Sequence, residues 1–338
     1  MILSKIKQLI KSLIANALYY SGVLSYLKQK TLSNRAFVLM YHRVIPMSLM
    51  DDIHSTGGIV TEASLFEKHL TWLREEFNVL SVRNLIELFD AGGEIPSASC
   101  LLTFDDGWRD NYEYAKPLLE GHSVPAMIFL PYDYINNEIV FWQEELLARL
   151  LALSSSGDVR HQKYLQALTG LKVGAEKQSL RGYITNLKTK SYAEITTILN
   201  DLRKVQKDIT VDLSQDRYLD WEQVEAMSQS VISFGSHTLS HRILTQIDSQ
   251  EAEHEIQESK RLLDQKIEGG VNAIAYPNGN TSADVEHIAD RANYRIGFTT
   301  KPGYVSNRSN ILSLPRINIH TNNSQSKPLF LCHILNIF

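Results

Sequence analysis

Two adjacent carboxylates stand at the end of an apolar run in the sequence LLTFDDGWRDN. Asp105 and Asp106 are followed at once by Gly107. Consecutive residues of a strand face opposite sides, so a pleat would separate the two side chains, whereas a glycine permits a sharp turn that brings both toward one cavity. An isolated Asp-Asp-Gly is more often a turn and a helix N-cap. The pair therefore indicates a site only together with further ligands.

Two histidines follow another apolar run, in the sequence FGSHTLSHRIL. His237 and His241 are four residues apart, which puts both imidazoles on one side of the segment if it is helical. Neutral imidazole is a common ligand for divalent metals. A lone histidine is more often an ordinary polar residue, but a spaced pair in a chain that also carries the acidic pair predicts a metal site.

Two histidines and one carboxylate form the open three-ligand set of a catalytic zinc site. The same set could hold non-haem iron as a facial triad. The second carboxylate favours hydrolysis, because an attacking water benefits from a base that removes its proton. Asp106 as ligand and Asp105 as base would divide this work, whereas an iron enzyme would leave Asp105 without a role. We expect Zn²⁺, with Co²⁺, Ni²⁺ or Fe²⁺ as alternatives.

The elements that position these residues are short apolar runs that alternate with helix-like segments. The runs are nearly continuously apolar, as in a sheet covered by helices on both faces, and such alternation predicts a parallel α/β sheet or barrel. Active sites of barrels lie at the carboxyl ends of the strands. The predicted strands are 36–44, 78–82, 100–106, 126–132, 231–238, 272–279, 294–300 and 314–320. The predicted helices are 62–76, 83–91, 110–121, 221–229, 249–267 and 283–292. Residues 133–219 contain only helix-like runs and are interpreted as a helical insertion.

Composition narrows the class of protein. The formal net charge of the 338 residues is -4, which argues against a nucleic-acid partner. Cys100 and Cys332 are too few for a disulfide framework and do not fix the compartment.

The N-terminal residues 1–30 predict an amphipathic helix. Apolar residues recur at helical spacing, and lysines interrupt them, unlike the continuous apolar core of a secretory signal. The helix either packs on the domain as an ordinary surface helix or lies on a membrane with its lysines toward anionic head groups. A cytoplasmic or peripheral membrane location is therefore favoured over secretion.

The two motifs resemble those of the polysaccharide deacetylases of the NodB-homology group, carbohydrate esterase family four. That family carries T-F-D-D-G and H-[S/T]-x-x-H, which match residues 103–107 and 237–241 in full. The resemblance extends from about residue 36 to 320. It implies a deformed (β/α) barrel of about seven strands, with Asp105 as base and with Asp106, His237 and His241 as metal ligands.

The family also uses a histidine as general acid. The chain offers His42 in its first strand and His320 in its last. The early position resembles the circularly permuted exopolysaccharide branch of the family, which favours His42 as the acid and leaves His320 as the alternative.

A third family motif, R-x-P-[FY], is degraded here to Ala275, Tyr276, Pro277 and Asn278. The arginine that orients the catalytic aspartate in the family is absent. Arg316 could replace it through a charge-assisted pair with Asp105, or it could form an ordinary surface salt bridge. Tyr276, Pro277 and Asn278 are expected to bind substrate, with a backbone N–H near Asn278 in the oxyanion hole.

Trp221 could stack on a sugar ring or could be a core residue after an N-cap formed by Asp220.

The domains expected are residues 1–33 as the N-terminal helical segment, 34–321 as the barrel with the insertion 133–219, and 322–338 as a C-terminal tail. The expected reaction is removal of N-acetyl groups from N-acetylhexosamine units of a polysaccharide or lipid-linked glycan precursor. A non-catalytic carbohydrate-binding relative, or a hydrolase of an O-acetyl ester or non-sugar amide, is the alternative.

Overall fold

The computed structural model describes the backbone of residues 2–338 and the side chains of residues 6–338. It divides the chain into two compact units. The first contains the residues up to Met47, Gly57–Asn137 and Tyr218–Phe338, and the second contains Ser48–Thr56 and Glu138–Arg217.

The first unit is built on a parallel sheet. In the described chain the strands are β1 (Ala36–Tyr41), β2 (Arg43–Ile45), β3 (Val60–Glu62), β4 (Asn78–Val79), β5 (Ser99–Phe104), β6 (Ala126–Leu130), β7 (Ile232–Ser236), β8 (Ala273–Ala275), β9 (Ile296–Phe298) and β10 (Ile317–Asn318). The main sheet runs β10-β1-β5-β6-β7-β8-β9, with β4 beside β5, while β2 and β3 pair separately. Every residue of β1 and β5 is buried, as expected for strands covered on both faces.

The helices alternate with these strands. They are α1 (Ile2–Tyr20), α2 (Val23–Thr31), α3 (Ala63–Glu76), α4 (Val82–Asp90), α5 (Lys116–His122), α6 (Trp142–Ser154), α7 (Val159–Thr169), α8 (Lys177–Leu187), α9 (Tyr192–Val205), α10 (Trp221–Ser228), α11 (Ser249–Lys266), α12 (Ala283–Arg291) and α13 (Lys327–Ile334). A short π-helical turn, Asn111–Ala115, leads into α5.

The sheet is curled, and its two edge strands lie close together. The N–H groups of Gly297 and Thr299 donate to the carbonyls of Ile311 and Leu314, in the segment that leads into β10. The predicted α/β class and deformed barrel are therefore confirmed. Each predicted strand corresponds to a strand of the structure, whereas β3 was not predicted because its three residues carry too little pattern to be distinguished from a loop.

The second unit contains the four helices α6–α9, which fall within the predicted insertion 133–219. They bury a core of their own, made mostly of leucine and isoleucine side chains: Leu146, Leu147, Leu150, Leu153, Leu165, Leu180, Ile184, Leu187, Ile195, Leu199 and Leu202. Ser191 and Glu194 form a reciprocal capping box at the start of α9, which satisfies two backbone donors that a helix terminus leaves unpaired.

Both termini are helical. The predicted N-terminal helix is present as α1, although the side chains of Ile2, Leu3 and Lys5 lie outside the described residues. Residues 322–338, expected as a tail, contain α13, which packs on α1 and α3 and buries Phe330 completely. No helix among the described residues is long and apolar enough to span a bilayer.

His69 joins α13 to the barrel, a role that its sequence context does not reveal. Its ring stacks on Phe330 with the centroids 4.6 Å apart. Its Nε2–H donates to the carbonyl oxygen of Ser324 at 3.0 Å, so Nδ1 accepts from the Tyr41 hydroxyl at 3.2 Å. Burial lowers the pKa of His69 to about 4, because the charged ring would lose its hydration.

This buried histidine predicts a loss of stability in mild acid. A pKa of about 4 in the folded chain and about 6.5 in the unfolded chain means that the unfolded chain binds more protons between these values. The stabilising contribution is therefore present above pH 6.5 and is lost as the pH falls toward 4, by about 2 kcal/mol between pH 7 and pH 5. Urea unfolding with excess chelator at both pH values measures it.

The variant His69→Gln should show a smaller pH dependence than the wild type, and His287→Gln, at an exposed position of α12, should keep the wild-type dependence. An unchanged dependence in His69→Gln would show that His69 does not carry the effect.

Candidate active site

The site lies at the carboxyl ends of neighbouring strands of the main sheet. Parallel register pairs Tyr41 of β1 with Phe104 of β5, so the next residues, His42 and Asp105, are neighbours. The N–H of Asp105 donates to the carbonyl of Tyr41 at 3.0 Å, which extends this pairing by one residue. The His42 Nε2 atom is consequently 4.0 Å from Asp105 Oδ2.

The backbone turns sharply directly after Asp105. Asp106 has a φ of 75° and Gly107 a φ of 63°, so both residues adopt the left-handed conformation that L side chains rarely take. A Cβ atom at Gly107 would lie 2.8 Å from a Leu130 methyl group, so a larger residue here would be strained and would displace Leu130. The predicted turn is present, but it begins at Asp106 and not at Gly107. The Asp106 side chain therefore does not follow the alternation of side-chain directions along β5.

Asp105 forms a buried ion pair with Arg316. The guanidinium donates from its two terminal nitrogens to the two carboxylate oxygens, each at 2.7 Å. Arg316 is fully buried, and it also donates to the Thr299 carbonyl at 2.9 Å and to the Thr103 hydroxyl at 3.2 Å. Burial alone would raise the pKa of Asp105, but Arg316 and nearby histidines hold it below the usual value. The carboxylate is therefore ionised at neutral pH.

Arg316 reaches Asp105 from an unexpected position. It precedes β10 instead of following a strand, and its guanidinium lies 5.6 and 5.9 Å from the ring centroids of Phe129 and Phe298. The suggested ion pair between Arg316 and Asp105 is thus present. It is buried, so the alternative of a surface salt bridge does not apply to Arg316.

The second carboxylate, Asp106, faces both histidines of the other motif. Its Oδ1 atom lies 3.4 Å from Nε2 of His237 and 3.4 Å from Nε2 of His241. Its Oδ2 atom accepts a hydrogen bond from the indole N–H of Trp108 at 3.0 Å. Although burial raises the pKa of Asp106, the hydrogen bonds from the two histidines lower it well below the usual value.

His237 has its tautomer fixed by the neighbouring strand. Its Nδ1–H donates to the carbonyl oxygen of Ala275, at the end of β8, at 2.7 Å. When the ring is neutral, its lone pair is therefore on Nε2, which points toward Asp106, and this is the arrangement that metal-binding histidines adopt. Its backbone N–H donates to the Leu130 carbonyl at 2.8 Å, so the residue is anchored to β6 and β8.

The loop that carries both histidines is held in a strained conformation. Thr238 and His241 have φ values of 68° and 59°. The buried carboxylate of Glu255, on α11, accepts the N–H groups of Leu239 and Ser240 at 3.0 and 2.9 Å. A carboxylate accepting several N–H groups is a strong interaction, so Glu255 fixes the turn that brings His241 back toward His237.

Asp106, His237 and His241 form a group that can hold a metal ion. One atom of each lies within 4.8 Å of the others. Ligands bound about 2.0–2.2 Å from one tetrahedral ion lie about 3.4 Å apart, and the observed separations from Asp106 Oδ1 have this value. The orientation of the His237 ring fits the same purpose, so the donor set and its spacing suit a divalent ion.

A family model described as polysaccharide deacetylase matches residues 92–297, well over half of the chain. The chain belongs to the polysaccharide deacetylase family. Membership confirms the predicted class, an amide hydrolase, and gives no support to the iron oxygenase alternative. The matched residues include both aspartates and both histidines, whereas His42, Arg316 and His320 lie outside them.

Individual relatives are distant from this deacetylase. It is 22% identical over 276 residues to the “Putative polysaccharide deacetylase YxkH” of Bacillus subtilis, which covers 81% of the chain and 71% of that protein. It is 22% identical over 200 residues to a poly-beta-1,6-N-acetyl-D-glucosamine N-deacetylase of Staphylococcus aureus, covering 56% of the chain and 64% of that enzyme. The structure of the Streptococcus pyogenes deacetylase PplD has a TM-score of 0.58 at 22% identity, covering 89% of the chain and 98% of PplD, which shows a shared fold.

The substrate-binding residues expected in the degraded motif of the deacetylase have different environments. The Tyr276 side chain is fully buried, and its hydroxyl donates to the Leu312 carbonyl at 2.8 Å, which argues against the predicted contact with a glycan. Pro277 is buried as well, whereas Asn278 is exposed and has a φ of 58°. The N–H groups of Tyr276 and Gly279 donate to backbone carbonyls, and an oxyanion-hole donor near Asn278 stays a prediction.

Trp221 is half-buried at the start of α10. Its ring packs on Tyr132, with the centroids 5.4 Å apart, and on the ammonium group of Lys266. Asp220 caps the helix through the N–H of Gln223 at 2.7 Å. The N-cap that we expected if Trp221 were a core residue is therefore present. Stacking of Trp221 on a sugar ring stays a prediction.

The sequence did not predict that Trp108 holds the Asp106 carboxylate through its indole N–H. Trp108 is fully buried. Its ring packs on Tyr218, at a centroid distance of 4.7 Å, and on the guanidinium of Arg43, which is 4.2 Å from the ring centroid. Arg43 in turn donates to Asp110 at 2.8 Å. The only signal in the sequence is that Trp108 and Asp110 follow the acidic motif directly.

The hydrogen bond from Trp108 to Asp106 predicts that Trp108 increases the affinity of the site for metal. The variant Trp108→Phe keeps most of the ring but removes the hydrogen bond to Asp106, which should weaken Zn²⁺ binding by about 10- to 100-fold, because partners of this kind orient the ligands. Competition with a chromophoric chelator measures the affinity. Trp72→Phe, at a tryptophan that packs on Phe330, is the control and should bind like the wild type. Equal affinity in both variants would contradict the assignment.

Proposed function

We propose that the chain is a metal-dependent hydrolase that removes N-acetyl groups from N-acetylhexosamine units of a polysaccharide or a lipid-linked glycan precursor. The observation that carries this is the pairing of two different carboxylates. Asp106 faces two imidazole nitrogens at 3.4 Å, while its neighbour Asp105 is held by Arg316 at 2.7 Å. One carboxylate is thus arranged as a ligand, and the other is kept ionised beside it.

Asp106, His237 and His241 would hold the ion, which we propose to be Zn²⁺, with Co²⁺, Ni²⁺ or Fe²⁺ as alternatives. When bound there, such an ion supplies a Lewis acid that polarises the acetyl carbonyl and lowers the pKa of water. Two nitrogen ligands and one oxygen ligand are a usual donor set of catalytic zinc, which favours this ion.

Asp105 is the proposed general base. Arg316 keeps its carboxylate ionised and in one orientation, because a fork of two charge-assisted hydrogen bonds restricts rotation. An ionised carboxylate has about four lone-pair positions, and the two bonds to Arg316 leave others free to accept the proton of the attacking water.

His42 is the proposed general acid, which gives a proton to the leaving amide nitrogen. Its Nε2 lies 4.0 Å from Asp105. Burial lowers its pKa below the usual value, and the nearby carboxylates of Asp106 and Asp105 offset that effect only in part. His320 is the alternative, since the register of β1 and β10 places it beside His42. Burial, together with His333 and His42, lowers the pKa of His320 to about 4, so it holds little proton at neutral pH.

An N-acetylated glycan is the partner that this reaction requires. The Staphylococcus aureus relative is named for its action on poly-beta-1,6-N-acetyl-D-glucosamine, which supports an N-acetylglucosamine polymer as the substrate class. A peripheral membrane contact through residues 1–30 is a separate matter, since it concerns α1 and α2 and not the catalytic groups.

The proposal predicts acetate release from oligomers of β-1,6-linked N-acetylglucosamine by the Zn²⁺-loaded chain. Chelator should abolish release, and Asp105→Asn should lower kcat by about 10²- to 10⁴-fold, because general base catalysis contributes that much. The zinc content of Asp105→Asn should stay at the wild-type value, since Asp105 is not a proposed ligand. Enzymatic acetate detection and metal analysis of the same samples measure both.

Asp133→Asn, at a partly exposed carboxylate, is the matched control and should keep full activity. His42→Ala should lose more activity than His320→Ala. Full activity of folded, zinc-loaded Asp105→Asn would refute its role as base. No release by the wild type, despite bound zinc, would refute this substrate class and favour an O-acetyl ester, a non-sugar amide or a carbohydrate-binding role.

A further inference from the structure

The helix α1 exposes its apolar side. Six large apolar side chains are between 44% and 81% exposed: Ile6, Leu9, Ile10, Leu13, Ile14 and Tyr20. At about 100° per residue they share one side of the helix, which we call the apolar face of α1. Val23 and Tyr26, which follow in α2, are also exposed. Other exposed large apolar residues of the described chain are scattered, and single ones need no explanation.

The opposite side of α1 makes the contacts with the rest of the first unit, and it is largely polar or small. Gln8 donates to the carbonyl of Asn322 at 2.9 Å and to the side chain of Gln325 at 3.2 Å. Ala15 is completely buried, and the helix packs on α13. An ordinary surface helix buries its apolar side and exposes its polar side, so the orientation of α1 is the reverse of that arrangement.

The charge around this face is of one sign. The chain has a net charge of -4, yet its first acidic residue is Asp51, while Lys5, Lys7, Lys11, Lys28 and Lys30 precede it. Lys7 and Lys11 are exposed and follow Ile6 by about 100° and 140° around the helix, at one border of the apolar face. Lys28 pairs with Glu76 and so contributes less to this field.

We propose that the apolar face of α1 lies on the surface of a bilayer that contains anionic lipid. A helix of this kind buries its apolar side chains at the boundary between head groups and acyl chains, while lysines at its border meet anionic head groups. The exposed ring of Tyr20 suits the same boundary, where tyrosine is enriched. The lysines at the border of the apolar face are complementary in charge to anionic head groups, which favours an anionic lipid surface over an uncharged apolar partner.

Flotation of the full chain with vesicles tests this proposal. The wild type should float with phosphatidylcholine vesicles that contain about 30% phosphatidylglycerol and much less with pure phosphatidylcholine, because basic residues near the surface add to the affinity. Leu9→Gln combined with Leu13→Gln should lower the partition at least about tenfold, since apolar burial drives insertion. Lys7→Glu combined with Lys11→Glu should remove the preference for anionic vesicles.

The matched control is Val159→Gln combined with Tyr192→Gln, at exposed apolar residues of α7 and α9, which should float like the wild type. All variants should release acetate from soluble oligomers like the wild type, so this test stands apart from that of the reaction. The proposal is overturned if the wild type does not float with anionic vesicles, or if Leu9→Gln with Leu13→Gln floats equally well. A dimer seen by light scattering, broken by those two changes and without vesicle binding, would assign the face to a second copy of the chain and also overturn it.

Discussion

The structure depends on placing two adjacent negative charges in a buried position at the end of β5. Asp105 and Asp106 are 2% and 6% exposed, and an uncompensated buried charge costs several kcal/mol. Each carboxylate therefore has its own compensation. Arg316 neutralises Asp105 through a bidentate pair, while Asp106 is paired with Trp108 and with the two imidazoles. This division keeps the two side chains chemically different, because one is paired with a permanent cation and the other faces two imidazoles that could bind a metal with it.

The backbone has to be strained for this arrangement to form. Asp106, Thr238 and His241 all have positive φ values, and such residues cost about 1–3 kcal/mol each. The surrounding structure maintains them through specific contacts, among them the hydrogen bonds from Leu239 and Ser240 to Glu255. The side chains of Asp106, His237 and His241 are thus held in place by the fold, which would reduce the reorganisation that the proposed reaction requires.

Periodicity and motif spacing predicted the strands and the helices of the barrel, since continuous apolar runs and helical repeats are local signals. The group of Asp106, His237 and His241 could also be foreseen, because its residues stand directly after two strands. Trp108 and Glu255 could not, because their roles depend on contacts across the fold. The burial of Tyr276 could not be predicted for the same reason, since an aromatic residue in a family motif can face the core as well as the site. The pair of Arg316 with Asp105 could only be suggested, since nothing in the sequence shows that side chains 211 residues apart meet.

The most direct test of this account is the steady-state kinetics of acetate release by Zn²⁺-loaded Arg316→Lys beside the wild type, with zinc content and folding measured on the same samples. Lysine keeps the positive charge but loses the two-pronged geometry. If Arg316 orients Asp105 as the base, kcat should fall by roughly 10²-fold, because small misplacements of a catalytic group have effects of that size. KM and bound zinc should stay unchanged, since neither depends on Asp105. A wild-type kcat in the folded, zinc-loaded variant would contradict the account, because the base would then not depend on its partner.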